Sequence, residues 1–260
     1  VKQEKCENGF IAAVFALVIA ASIVSGCSRP VSNKNTAPTP TPETSPTPSV
    51  SEPEAIKNDV NVSFSSYSDD WPKGWRWIDP DEAHAPTPHD VKRGVLRVRI
   101  PSGKELRGKY ANAPRYVKAI EGDFEIETRV RFRPTENYQG AGLIIYVSDL
   151  NYVRLERGYG GIGGGAGSIR FDARLNGEFT PVSQPGDTET DAEMVDLKLV
   201  RSGNLILAYW RLDEENPWRE VGEYEAAFPQ TVLAGLMAAN TARETTAEFL
   251  YIKLSPSSSR

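Results

Sequence analysis

Phe124-Glu125-Ile126-Glu127-Thr128-Arg129-Val130-Arg131-Phe132-Arg133 alternates without a break. Phe124, Ile126, Thr128, Val130 and Phe132 fall on one side, and Glu125, Glu127, Arg129, Arg131 and Arg133 on the other. Strand side chains point alternately to the two faces. Strict period two with one apolar side therefore predicts a half-buried strand with a charged outer face.

The same periodicity and turn spacing predict strands at 75–78, 94–100, 141–148, 151–157, 168–175, 195–201, 204–212, 219–224, 232–239 and 246–254. Turn-forming residues separate them: Pro134 to Asn137, Ser148 to Asn151, Ser202-Gly203-Asn204 and Glu215-Asn216-Pro217. Asn176-Gly177 predicts a two-residue hairpin turn. No stretch of helical period of about twelve residues or more follows the signal region. So many short strands predict an all-β sandwich or barrel and argue against a parallel α/β sheet.

The folded part is expected over 58–256, with 257–260 as a tail. About two hundred residues are enough for one large core. Before it, 29–55 is rich in Pro, Thr and Ser and nearly free of apolar residues. Such a segment cannot bury enough surface to offset the entropy of ordering, and its prolines favour extended conformations. It reads as a disordered stalk. Further back, Phe10 to Val24 carries no charge and ends in Ser25-Gly26-Cys27. That run is short for a spanning helix and suits the core of a signal peptide. Ser-Gly-Cys after it resembles a bacterial lipobox. The resemblance implies a signal peptide over 1–26, a lipidated Cys27 opening a stalk over 27–57, and a protein tethered at the cell envelope, on the outer membrane or another extracytoplasmic face. The chain has two cysteines, Cys6 and Cys27, so the folded part offers neither a disulfide nor a thiolate metal site. A net charge of −5 argues against a nucleic-acid partner.

Three stretches carry a further likeness: Gly122 to Pro134, Gln139-Gly-Ala-Gly-Leu143, and Asn151-Tyr-Val-Arg-Leu-Glu-Arg157. Together with Gly74-Trp75-Arg76-Trp77 and Asp196-Leu-Lys-Leu199 they resemble bacterial concanavalin A-like domains. Among these are the regulation-of-enolase domain family and the lectin-like C-terminal module of family 43 β-xylosidases. The resemblance implies a two-sheet jelly-roll sandwich over about 60–256.

Signals for catalysis are weak. Laminarinase-type hydrolases on this fold carry Glu-x-Asp-x-x-Glu on one strand face, and Glu125-Ile-Glu127 is only a partial likeness. Arg129 and Arg131 continue that face, and neighbouring cations favour the ionised carboxylate over a raised-pKa acid. The plain reading is a solvated ladder of cross-strand charge pairs. His84 and His89 lie in a proline-rich loop, with Asp79, Asp81 and Asp90 as conceivable co-ligands. Gly158 to Ser168 lacks the Gly-Lys-Ser/Thr ending of a phosphate loop. Asp187, Glu189, Asp191 and Glu193 alternate in an extended run, which suits calcium but reads equally as a solvated loop. No cofactor is expected.

The positive signal comes from three consecutive strands. With Leu143, Ile145, Val153, Leu155, Ile169 and Phe171 inward, parity turns Tyr146, Tyr152, Arg154, Glu156, Arg170 and Asp172 outward. Aromatic rings stack on sugar faces, while carboxylates and guanidinium groups hydrogen-bond hydroxyls. Trp75 and Trp77 share a strand face and extend this platform in the same reading. Trp210 is a further candidate, while Trp77 and Trp218 also read as structural, since large aromatics dominate cores. The expectation is a non-catalytic, lectin-like envelope lipoprotein whose partners are a membrane and a polysaccharide or other glycan. The alternatives are a structural or protein-interaction module and, with less support, a glycoside hydrolase or lyase.

Overall fold

The structure, a computed structural model, describes residues 54–62, 64, 71–107, 110–160, 167–183 and 188–257. Every regular element among them is a strand. In chain order these are β1 (Glu54–Ala55), β2 (Val60–Val62), β3 (Trp75–Ile78), β4 (His89–Lys92), β5 (Val95–Ile100), β6 (Leu106–Arg107), β7 (Tyr110–Ala111), β8 (Arg115–Glu121), β9 (Phe124–Arg131), β10 (Gln139–Ser148), β11 (Asn151–Tyr159), β12 (Gly167–Leu175), β13 (Glu178–Pro181), β14 (Met194–Ser202), β15 (Leu205–Arg211), β16 (Arg219–Glu225), β17 (Thr231–Ala239) and β18 (Thr245–Pro256). The first sheet runs β1-β8-β17-β10-β11-β12-β13, with β3 also on β8. The second runs β16-β15-β14-β9-β18-β5-β4, with β2 also on β18. Strands β6 and β7 form a small separate pair.

β9, the strand with the strict alternation, lies at the centre of the second sheet between β14 and β18. Phe124, Ile126 and Val130 are fully buried and share one core with Leu143, Ile145, Leu155 and Phe171 of the first sheet. Burying one such side chain contributes about 1.5–3 kcal/mol, so the apolar parity of this strand fixes which face turns inward. Thr128 is the polar exception on that side, and its hydroxyl donates to the Tyr251 carbonyl at 2.7 Å.

All of the expected strands form. Asn176 and Gly177, at φ 53° and 85°, make the two-residue turn between β12 and β13. Arg93 and Gly94, at 54° and 78°, do the same between β4 and β5. Both turns need a left-handed conformation at each position. β8 was not legible in the sequence. Tyr116 and Ile120 join the inter-sheet core while Val117 is buried on the opposite face, so no polar alternation marks the strand. The folded part also begins earlier than residue 58. β1 pairs with β8 through Glu54↔Ile120, and Ile56 joins the core, inside the segment read as stalk.

The first sheet has a second apolar layer on its outer face. Leu106, Ala113, Val117, Ile144, Tyr152 and Met237 form it, with Ile78 and Tyr146 packed against it. The chain around β6 and β7 thus covers part of a face that strand parity alone would leave in water.

Candidate functional site

On the outer face of the first sheet, Ile144, Arg154 and Asp172 are in register, as are Gly142, Glu156 and Arg170. Tyr146 and Tyr152 sit in the next row. The six residues read from parity therefore do share one face of three adjacent strands. They do not form an exposed platform. Tyr152 and Glu156 are fully buried, and the side chains of Arg154, Arg170 and Asp172 are 13%, 12% and 7% exposed. The Tyr152 hydroxyl donates to the Leu106 carbonyl at 2.8 Å, which ties the covering segment to the sheet.

Their polar groups are mostly spent on one another. Arg154 lies 3.0 Å from Asp172 and 3.8 Å from Glu156, and Arg170 lies 2.5 Å from Glu156. Arg170 also donates to the carbonyls of Gln139, Tyr159 and Gly160. Two glycines make room for this pair. A Cβ on Gly140 would overlap the Glu156 carboxylate, and one on Gly158 would overlap the Arg170 guanidinium. Burial disfavours charge on Arg154, but Glu156 and Asp172 outweigh it and hold its pKa above the ordinary range. Tyr146 donates to Asp149 at 2.6 Å, beneath the Arg115 guanidinium. Burial, then that hydrogen bond, pushes its phenol up to about 12.

The tryptophans do not extend this face. β3 pairs with β8 so that Trp77 lies opposite Tyr116, on the inter-sheet side. Trp75 is buried there and stacks on Tyr116 with ring centroids 4.9 Å apart, and Trp77 stacks on His89 at 4.0 Å. Trp210 is likewise buried in the core. Trp218, read as structural, instead lies against two cations of the second sheet, 4.5 Å from Lys198 Nζ and 4.3 Å from Arg211 Cζ.

That outer face of the second sheet is the more open one. Tyr209, Lys198, Glu127, Lys253 and Asn61 form one row across five strands. Arg211, Asp196, Arg129 and Tyr251 form the next. Asp196 is buried under both arginines, accepting from Arg129 at 2.6 and 2.9 Å and from Arg211 at 2.9 Å. Beside this cluster lies a depression of ≈ 520 Å³ lined by Asn61, Glu127, Arg211, Glu214, Tyr251 and Lys253.

Glu127 departs from expectation. Burial pushes its carboxyl above the ordinary value, ahead of the opposing pull of Lys198, Lys253 and Arg211. The neighbouring cations were expected to win, but they interact with it only at a distance. Among the described residues, none makes a hydrogen bond or ion pair with its carboxylate. The Tyr251 phenol is also raised, chiefly by burial and then by Asp196 and Glu127. Sequence reasoning missed Tyr251 because β18 slips register between Phe249 and Tyr251. The extra residue sends Tyr251 outward where strict alternation sends it inward.

Other candidates fall apart or lie elsewhere. His84 is exposed and pairs with Asp81 at 3.3 Å, whereas His89 is stacked between Trp71 and Trp77. Among the described residues no cluster of His, Cys, Asp and Glu suits a metal ion. Cys27, residues 161–166 of the glycine run and Asp187 of the acidic run lie outside the described residues.

Two packed antiparallel sheets of this order define a jelly-roll sandwich. Within that class the chain belongs to the family described as "Protein of unknown function (DUF1349)", whose model matches residues 103–257. No curated protein matches the chain. Among solved structures it is similar to the GH43 BlXynB protein from Bacillus licheniformis, at 17% identity and a TM-score of 0.61, over 77% of this chain and 39% of that one. It is also similar to a GH43B protein of a Bacteroides ovatus xyloglucan locus, at 14% identity and a TM-score of 0.57, over 83% of this chain and 41% of that one. A functionally unknown protein from Saccharomyces cerevisiae matches at 13% identity and a TM-score of 0.52, over 70% of this chain and 93% of that one. The chain thus spans about two fifths of these GH43 proteins but nearly all of the yeast one. At these identities the likeness is one of fold.

Proposed function

We propose that the protein is a carbohydrate-binding module whose ligand lies on the outer face of the second sheet, in the depression around Glu127 and Tyr251. The observation that carries this reading is the Glu127 carboxyl, partly desolvated and without a direct partner among the described residues, beside Arg211, Lys253 and a tyrosine ring. Glu127 is half-buried at the edge of the depression, so a ligand hydroxyl would replace water at a carboxylate that is already partly desolvated. Sugar hydroxyls would supply that partner by donating to the carboxylate, and would accept from Arg211 and Lys253. Tyr251 and the nearby Trp218 offer rings for apolar sugar faces. The GH43 likeness is consistent with this reading, since sandwich modules of this shape occur within carbohydrate-active proteins.

The reading is non-catalytic and envelope-bound. Only Glu125 and Glu127 of the laminarinase pattern are present, and Cys27 provides the lipid anchor that would hold the domain at a membrane. Affinity electrophoresis in gels containing xylan, xyloglucan or laminarin tests the binding. Tyr251→Ala and Arg211→Ala are each expected to weaken retardation by about tenfold or more in affinity. Unchanged retardation in both would place the ligand elsewhere, and released oligosaccharide would make the protein an enzyme.

A further inference from the structure

One end of the sandwich carries a second depression, which shares no lining residue with the one around Glu127 and Tyr251. The segment before β10, the end of β11 and the β17–β18 connection border an open depression of ≈ 590 Å³ lined by Thr135, Glu136, Asn137, Tyr138, Tyr159 and Thr241. Tyr138 is 45% exposed and sits at φ 65°. A bulky residue in the left-handed region is a genuine outlier. It is the third residue of a four-residue turn closed by the Gln139 N–H donating to the Glu136 carbonyl at 3.3 Å, and that turn sets the ring at the rim of the depression just before β10.

The surroundings hold the ring in place. The Arg107 guanidinium lies 4.9 Å from its centroid. The Tyr138 N–H donates to the Tyr159 carbonyl at 3.1 Å. The buried Gln139 side chain accepts from the N–H groups of Thr135 and Glu136 at 2.8 and 3.1 Å and donates to Asn240 at 3.3 Å. Thr241 donates to the Asn137 carbonyl at 2.8 Å. Gly160, at φ 69°, allows close approach, because a Cβ there would overlap the Asn137 side-chain oxygen. The loop is therefore preorganised while the ring stays in water. Among the described residues, Tyr138 and Tyr159 make no ring–ring contact, and the Asn137 carboxamide makes no hydrogen bond.

We infer that this end of the sandwich is a second glycan site, in which a neutral β-linked pyranose stacks on Tyr138 and hydrogen-bonds Asn137. Pyranoses with equatorial hydroxyls present flat C–H faces that suit an exposed ring. Neutral sugar fits because Glu136 is paired with Arg243 at 2.7 Å, while Thr135, Asn137 and Thr241 are uncharged. The inference does not depend on the sheet-face reading, and separate variants test the two.

The experiment is calorimetric and NMR titration of the full chain with xylohexaose and with cellohexaose, the Tyr138 ring signals being followed directly. At least one hexasaccharide is expected to shift those signals. Tyr138→Ala should lower affinity at this site by about tenfold, Tyr138→Phe should keep it, and Glu127→Gln should leave it unchanged. Tyr138→Gly should lose the site yet melt at a higher temperature, because glycine adopts positive φ without strain. Failure of both hexasaccharides to bind wild type, unchanged binding by Tyr138→Ala, or loss of the Tyr138 response in Glu127→Gln would each overturn the second site. A lower melting temperature for Tyr138→Gly would show that the ring serves the fold. Sheet-face binding that vanishes in Tyr251→Ala while the Tyr138 response persists would separate the two sites cleanly.

Discussion

The outer faces of the two sheets look alike in sequence and differ in kind. Each presents arginines and acidic residues at alternate positions of adjacent strands. On the first sheet, Arg154, Glu156, Arg170 and Asp172 lie largely out of water and pair with one another. On the second, Arg131 and Glu248 pair at 2.9 Å while Arg131 stays half exposed, and Glu127 stays directly unpaired among the described residues. Strand parity determines the side of a sheet on which a residue stands. It is silent on whether another part of the chain covers that side. Here the β6–β7 segment covers part of the first face, over Ile144 and Tyr152, while the second face has one buried cluster of its own, Asp196 under Arg129 and Arg211, and leaves Glu127 beside it as a candidate binding group.

The sharpest way to break this contrast is to remove one charge from the covered network. Arg170→Met would leave the Glu156 carboxylate buried, with Arg154 no closer than 3.8 Å. Breaking a buried pair by removing one partner costs about 3–5 kcal/mol. Urea unfolding is expected to show a loss of that size. The matching change on the second sheet, Arg131→Ala, should cost less than about 1 kcal/mol because the pair is exposed. Similar losses from both variants would mean that the two faces are not different.

A smaller effect tests the cover itself. Tyr152→Phe removes the hydroxyl that donates to the Leu106 carbonyl and leaves that acceptor buried. The expected cost is about 1–2 kcal/mol. Hydrogen exchange should also quicken around β6 and β7 while β9 and β14 stay protected. A neutral result with unchanged exchange would mean that apolar packing alone holds the cover down.

The sheet pattern was legible because period two is a local property. β9, β14 and β15 each bury one side, and their sequences record it. Three things were not local. β8 buries both sides, so it carries no alternation. The bulge after Phe249 reverses parity and hides Tyr251. The cover over Tyr152 comes from residues more than forty positions away, through a single hydrogen bond and a small apolar cluster. The inward turn of Trp75 and Trp77 follows from pairing with β8, the strand that the sequence concealed. The candidate site on the second sheet was visible as Glu125 and Glu127 beside Arg129. Neighbouring cations favour the carboxylate form, which decides the matter in a solvated ladder, whereas at Glu127 burial outweighs Lys198, Lys253 and Arg211 and raises the carboxyl.

The smallest expected effect concerns that residue. Burial raises the Glu127 carboxyl above its ordinary value of 4.5, and Lys198, Lys253 and Arg211 only partly oppose it. The folded chain therefore keeps the proton over a pH range in which the unfolded chain has released it. Stability falls as pH rises from about 4.5 through the folded value, because the native state binds more protons there. Below that range the group is neutral in both states and the cost disappears. Glutamine has no proton to lose. Glu127→Gln should match wild type at pH 4 and exceed it at pH 7, by less than about 0.5 kcal/mol once solvent screening is allowed for. Urea midpoints at the two pH values measure the difference. Its sign decides the matter: a variant less stable than wild type at pH 7 would mean that the carboxylate is held by a favourable ion pair, as on the first sheet. The depression would then hold another piece of scaffold, and Glu127 would have nothing left to offer a ligand.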